Sequence, residues 1–125
     1  MSRAALEQTL GTKLPIIDTS GVKNVSISSG VLNIDFNFGV HIVPHNQNIT
    51  SLTYSNIKTD YSSKNEVIII LTQDSVGGRT ITGSYLTAGG LGLDISTTAN
   101  AINIISILTL DGITFYGFSS GKNFS

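Results

Sequence analysis

From Val25 onward the chain alternates between apolar and polar positions with a period of two, the spacing that sends successive side chains to opposite faces of a β-strand. Val25 and Ile27 alternate with Ser26 and Ser28, and Ser29-Gly30 reads as a turn. Leu32, Ile34, Phe36 and Phe38 alternate with Asn33, Asp35 and Asn37, which predicts one face on a core and one polar face. Gly39 marks a bend, Val40 to Val43 resumes the apolar run, and Pro44 to Gln47 reads as a loop. Ile49, Leu52 and Tyr54 outline a further strand, followed by a polar loop from Ser55 to Lys64.

Glu66 to Leu71 reads EVIIIL, apolar on both faces, and so predicts a central strand covered on each side. Asp74, Ser75, Gly77 and Gly78 supply turn chemistry ahead of Arg79 to Thr82, which predicts a hairpin with a longer loop. Ala88 to Gly92 is glycine-rich, and Leu91, Leu93 and Ile95 line one side of a short strand. Ala101 to Leu110 is a long apolar strand, and Asp111-Gly112 ahead of Ile113 to Phe118 predicts a two-residue hairpin. Roughly eight strands at spacings near ten residues predict an all-β fold, a single antiparallel β-sandwich or jelly roll.

The first 24 residues break this pattern. Ser2 is placed to cap a short helical turn over Arg3 to Leu10, ended by Gly11. Leu14, Ile16 and Ile17, around Pro15, are apolar without alternation. We read residues 1–24 as an extended N-terminal arm that docks or assembles through Leu14, Ile16 and Ile17, and residues 25–125 as the β domain.

Composition supports this reading. Isoleucine (17), threonine (14) and valine (7) dominate, while alanine (5) and glutamate (2) are scarce, and branching at Cβ suits a pleated sheet better than a helix. Only 12% of the 125 residues are charged and the net charge is −1, which removes the basic footprint of a nucleic-acid binder. No apolar run is long enough to span a bilayer, so no membrane partner is expected. The absence of cysteine removes disulfides, thiol nucleophiles and zinc-thiolate sites.

With these elements in view, LTQDSVGGRTITG and LDISTTANAINIISILTLDGITFYGFSSGKNF resemble the β-sandwich domain of tailed-bacteriophage virion proteins, of the fibre-tip or capsid-decoration type. The likeness rests on Gln73-Asp74, Gly77 to Thr80, Asp111-Gly112, Phe115 to Phe118 and Lys122-Asn123-Phe124, with ITSLTYSNIK at Ile49 to Lys58 fitting a paired-threonine strand. It spans about residues 31 to 124. Phe115 stands where the family usually carries tryptophan, and Gly83-Ser84-Tyr85 replaces a proline-tryptophan stretch. The resemblance implies a homotrimeric, non-enzymatic module displayed on the outer surface of the virion. Its expected role is capsid decoration or a head fibre attached through the arm to the major capsid protein. The alternative is a tail-fibre or tail-tip adhesion module that binds a host receptor.

Catalytic patterns have simpler explanations. Gly117 to Gly121 matches G-x-S-x-G, yet only four residues follow it, too few for the helix a nucleophile elbow requires. His41 and His45 lie on one strand about 13 Å apart, too far to share an ion within the chain. A metal on a symmetry axis is weighed against surface or hydrogen-bonded histidines. Asp35, Asp60, Asp74, Asp94 and Asp111 are scattered singly, with no glycosidase-like pair, and Asp74 and Asp111 suit turns. No catalytic residue, metal or cofactor is expected. Tyr54, Tyr61, Tyr85 and Tyr116 are weighed as a sugar-binding or partner-binding surface against strand-edge packing, and Tyr85 is the candidate surface contact.

Overall fold

The computed structural model describes residues 21–59 and 65–125, and the candidate arm contacts Leu14, Ile16 and Ile17, the turn at Arg3 to Leu10, Asp60 and Tyr61 lie outside them. The described residues form an all-β structure whose strands are β1 (Val22–Asn24), β2 (Val31–Asp35), β3 (Val40–His45), β4 (Ser51–Ser55), β5 (Asn65–Gln73), β6 (Ile102–Thr109) and β7 (Phe115–Phe124). One sheet runs β1-β3-β5-β6-β7, and β2 and β4 pair in a second.

The antiparallel expectation is corrected. β1 with β3, β3 with β5, and β2 with β4 are all parallel, and only β5-β6 and β6-β7 are antiparallel. The order of the strands explains this. From β1 to β5 the chain visits the two sheets in turn, so each return to a sheet follows an excursion through the other and re-enters in the same direction.

Other expectations shift with this winding. Val22–Asn24, within the segment read as the arm, is an edge strand paired to Val40–Ile42. Glu66 to Leu71 and Arg79 to Thr82 do not pair as a hairpin; β5 lies between β3 and β6, and Ile81 forms a single parallel bridge to Ile49. Residues 91–95 hold no strand, although Leu93 and Ile95 still pack on the core. The Asp111-Gly112 hairpin joins β6 and β7, but through five residues: Asp111 Oδ1 accepts the N–H groups of Ile113 (2.9 Å) and Thr114 (2.8 Å), and Thr109 Oγ1 donates to the Thr114 carbonyl at 2.7 Å.

The core lies between the inner face of the five-strand sheet and β2-β4. Val43, Val67, Ile69, Leu71, Ile105 and Ile107 from the larger sheet meet Leu32, Ile34 and Leu52 from the smaller, with Ile27, Phe36, Ile49 and Ile81 from connecting segments. Each fully buried aliphatic side chain contributes roughly 1.5–3 kcal/mol. Tyr54 stacks on Phe115 with ring centroids 3.6 Å apart, its hydroxyl donates to the Ser84 carbonyl at 2.9 Å, and burial pushes that hydroxyl up to about 12.

Where backbone pairing stops, buried carboxamides continue it. Asn65 Oδ1 accepts the Lys58 N–H and its Nδ2 donates to the Lys58 carbonyl, both at 2.7 Å. Asn103 holds Ser96 in the same way (2.9 and 3.0 Å), and Gln73 holds Arg79 (3.0 and 2.7 Å). Each amide offers one donor and one acceptor, as a neighbouring strand would, and so fixes an irregular segment to a sheet end.

The expectation of a strand covered on both sides is also corrected. Among the described residues only the inner face of β5 is covered: Val67, Ile69 and Leu71 are fully buried, whereas Ile68 is 41% exposed.

Candidate functional site

Surface chemistry concentrates where the segment from Ile81 to Asp94 crosses the free edge of β7. Leu86 acts as a one-residue strand there: its N–H donates to the Phe115 carbonyl and its carbonyl accepts the Gly117 N–H, each at 2.8 Å. These two bonds lift the Leu86 side chain outward, where it is 58% exposed.

Shallow grooves adjoin this residue. One, of about 460 Å³, lies among Ile81, Thr82, Tyr85, Leu86, Thr87 and Gly90. A second, of about 480 Å³, lies among Ser84, Tyr85, Leu86, Ile113, Thr114 and Phe115. A third, of about 340 Å³, shares Thr87 and Gly92 with the first and adds Leu91, Leu93 and Phe118. Shared walls make the three grooves one continuous surface. Leu91 and Ile113 stand on it 90% and 82% exposed.

The surface carries little charge. Among its lining residues the ionisable side chain besides Tyr85 is Asp94, which accepts a hydrogen bond from Lys122 Nζ at 2.9 Å. Thr87 Oγ1 accepts the Gly92 N–H at 2.8 Å, and Ser119 Oγ accepts the Asp94 N–H at 2.7 Å, so backbone donors occupy these hydroxyls.

Tyr85 forms a wall of the first two grooves. Its ring packs over Gly117 and Gly83, where added Cβ atoms would come within 3.0 and 3.1 Å of it, and its hydroxyl reaches the Ile81 carbonyl at 3.4 Å. Burial raises its hydroxyl above the ordinary tyrosine value. Tyr85 is therefore an anchored, half-buried wall, while Leu86, Leu91 and Ile113 project. Sequence reasoning does not single out these three as contacts: it assigns Leu91 and Ile113 to strands, and both lie in loops, while Leu86 is passed over.

The remaining candidates occupy the interior or turns. His41 and His45 are fully buried on the inner face of β3, so of the alternatives weighed for them the hydrogen-bonded one holds and the surface one does not. His41 Nε2 accepts the Asp35 N–H at 2.9 Å. Its Nδ1 is buried without a hydrogen-bond partner. His45 Nε2 donates to the Thr80 carbonyl at 2.9 Å, and its Nδ1 accepts from Gln73 Nε2 at 3.4 Å. Burial holds both rings below the ordinary histidine value. Among the described residues no three histidine, aspartate or glutamate side chains are grouped to hold a metal.

Asp35 is a buried junction that the sequence pattern did not reveal. Its Oδ1 accepts from Asn37 N (3.0 Å) and Asn56 Nδ2 (2.8 Å), and its Oδ2 pairs with Lys23 Nζ at 3.0 Å. Burial alone would raise this carboxyl; the hydrogen bonds outweigh it and bring it to about 2. Asp74 and Asp111 fill the turn roles expected of them: Asp74 accepts the Val76 and Gly77 N–H groups and pairs with Arg79 at 2.8 Å. Ser119, the serine of the G-x-S-x-G match, lies in β7 and is spent on the Asp94 N–H.

The model of a family described as "putative phage tail fibre C-terminal domain" matches residues 36–114, well over half of the chain. No curated protein and no solved structure matches it. The matched span starts at Phe36, just after β2, and runs through β3, β4, β5 and β6 to the turn before β7, and the chain belongs to this family of phage tail fibre C-terminal domains.

Proposed function

We propose that the chain forms the receptor-contacting end of a tail fibre on the outer surface of the virion, a non-enzymatic adhesion module that binds a host-surface glycan or protein. The observation that carries this reading is the continuous, nearly uncharged surface around Leu86, which two backbone hydrogen bonds fix to β7, with Leu91 and Ile113 exposed on adjoining loops. A protruding aliphatic residue fixed at its own backbone loses little entropy when it is covered, which suits a contact residue. Family membership favours this role over capsid decoration or a head fibre. The decoration reading depends on the arm residues Leu14, Ile16 and Ile17, which lie outside the described residues.

Purified chain added to host cells tests the proposal. Saturating protein binds the cells and delays phage adsorption, and Leu86→Asp or Ile113→Asp weakens both effects about tenfold or more while leaving the β-rich circular dichroism unchanged. Protein that neither binds cells nor delays adsorption contradicts it.

A further inference from the structure

The ladder that Leu86 opens on β7 stops after one residue. Leu86 donates its N–H to the Phe115 carbonyl and accepts the Gly117 N–H. Backbone groups on one edge of a strand recur every second residue, so the Gly117 carbonyl and the Ser119 N–H offer the same acceptor and donor again, one repeat further along. Ala88 is the residue that would take them. It instead opens the short turn Ala88–Gly90, in which Gly89 has a φ of 66° and the Ala88 carbonyl accepts the Leu91 N–H, so the chain leaves the edge. Among the described residues no other backbone group pairs with this pair on the edge of β7. Beyond Ser119 the register with β6 slips and Asn123 takes a φ of 57°, which ends the regular edge. The groove of about 340 Å³ adjoins the gap, with Leu91, Leu93 and Phe118 beside Gly117 and Ser119.

We propose that this gap in the ladder receives an extended segment of a host-surface protein. One residue of that segment repeats the Leu86 hydrogen bonds on Gly117 and Ser119 and lays an apolar side chain beside Phe118, its cross-strand neighbour. The proposal rests on the receptor reading and narrows its partner from glycan or protein to protein. A polypeptide backbone carries a donor and an acceptor at the strand repeat, and strand addition draws affinity from such main-chain bonds and specificity from the side-chain pockets alongside. Phe118, 49% exposed, and Leu91, 90% exposed, supply the apolar walls. The groups that a sugar would use are engaged within the chain. Thr87 Oγ1 and Ser119 Oγ accept backbone N–H groups, Asp94 pairs with Lys122, and the Tyr85 ring packs over Gly83 and Gly117. A second copy fits the gap less well, because its own β7 edge is straddled by Leu86 and by Asp94, and its β1 edge is three residues long.

Binding of the full chain is measured on intact host cells, on cells shaved with a broad-specificity protease and on cells treated with periodate, which cleaves sugar diols. The expected result is a loss of about tenfold or more after proteolysis and unchanged binding after periodate. Two variants probe the edge itself. Ser119→Pro removes the outward N–H without touching a bond to β6 and weakens binding about tenfold, whereas Ser119→Ala, which loses the same hydroxyl but keeps the N–H, binds within about twofold of wild type. If Ser119→Pro does not fold, hydrogen exchange at the Ser119 amide of the wild-type chain decides: it is fast in the purified protein and slows about tenfold or more when host membrane vesicles are added. Loss of binding to periodate overturns the inference and leaves the receptor reading standing with a glycan partner. Equal effects of Ser119→Pro and Ser119→Ala overturn it, as does an exchange rate that the vesicles leave unchanged. A Ser119 amide already protected in the purified protein also overturns it, since a second copy or another part of the chain would then hold the edge. Absence of binding to untreated cells overturns the receptor reading and this inference with it.

Discussion

Gln73 grips Arg79 by both of its backbone polar groups: Nε2 donates to the Arg79 carbonyl at 2.7 Å, and Oε1 accepts the Arg79 N–H at 3.0 Å. The same Nε2 also reaches His45 Nδ1. One buried amide thus ends β5, fixes the loop that leaves it and sets the tautomer of a core histidine.

This arrangement makes Gln73→Glu costly. The carboxylate cannot donate to the Arg79 carbonyl or to His45, and the position is 1% exposed, so a charge there is buried opposite two acceptors. The expected loss is about 3 kcal/mol. Urea unfolding checks it: the midpoint falls with an unchanged slope. An unaltered midpoint would show that the clamp contributes nothing.

Two neighbouring glycines separate strain from crowding. Gly77 and Gly78 have φ of 74° and 78°, but a Cβ on Gly77 would lie 2.6 Å from the Thr97 carbonyl oxygen and 2.8 Å from Ala99 N, while one on Gly78 meets nothing within 4 Å. Gly78→Ala carries the left-handed penalty alone, about 1–2 kcal/mol, and Gly77→Ala exceeds it by a further 1–3 kcal/mol or so. Thermal unfolding of the pair measures the difference. Equal losses would contradict the close approach of the Thr97–Ala99 segment.

Stability is expected to fall on acidification in two steps. Burial keeps the His41 and His45 rings below their unfolded value of 6.5, so below that pH the unfolded chain takes up protons that the folded chain resists, and folding weakens. Protonation of His41 Nε2 would also set a donor against the Asp35 N–H. Asp35 adds the second step. Its stabilisation is complete above 3.8 and is lost as the pH falls from there to about 2. Denaturant midpoints taken from pH 8 down to about pH 2 test both steps, and a flat profile between pH 7 and 5 would contradict the burial of the histidines.

Leu91 and Ile113 should be dispensable for folding. Both are more than four-fifths exposed, so Leu91→Ser or Ile113→Ser is expected to change unfolding free energy by less than about 0.5 kcal/mol. A larger loss would mean that these side chains serve the fold and not a contact.

Strands such as β2 were legible because alternation at Leu32, Ile34 and Phe36 reports burial directly. Their direction was not, since a period of two is the same for parallel and antiparallel neighbours. The polar residues of the interior hid for a related reason. His41, His45, Gln73 and Asn103 occupy inward positions where the pattern alone predicts apolar side chains, and only the three-dimensional partners show why they are tolerated. The both-faced apolar run at Ile68 to Ile70 was legible as a central strand, which β5 is, but its expected second cover is not supplied by the described residues. Of the candidate surface contacts, Tyr85 was found through its aromatic character, whereas Leu86 became visible only through its bridge to β7.

The most direct test of the tail-fibre assignment is immunogold electron microscopy of intact virions with antibody raised against the purified chain. Gold at the far ends of the tail fibres, with bare capsids, is the predicted result. Gold distributed over the capsid surface would contradict the tail-fibre account and return the chain to a decoration role.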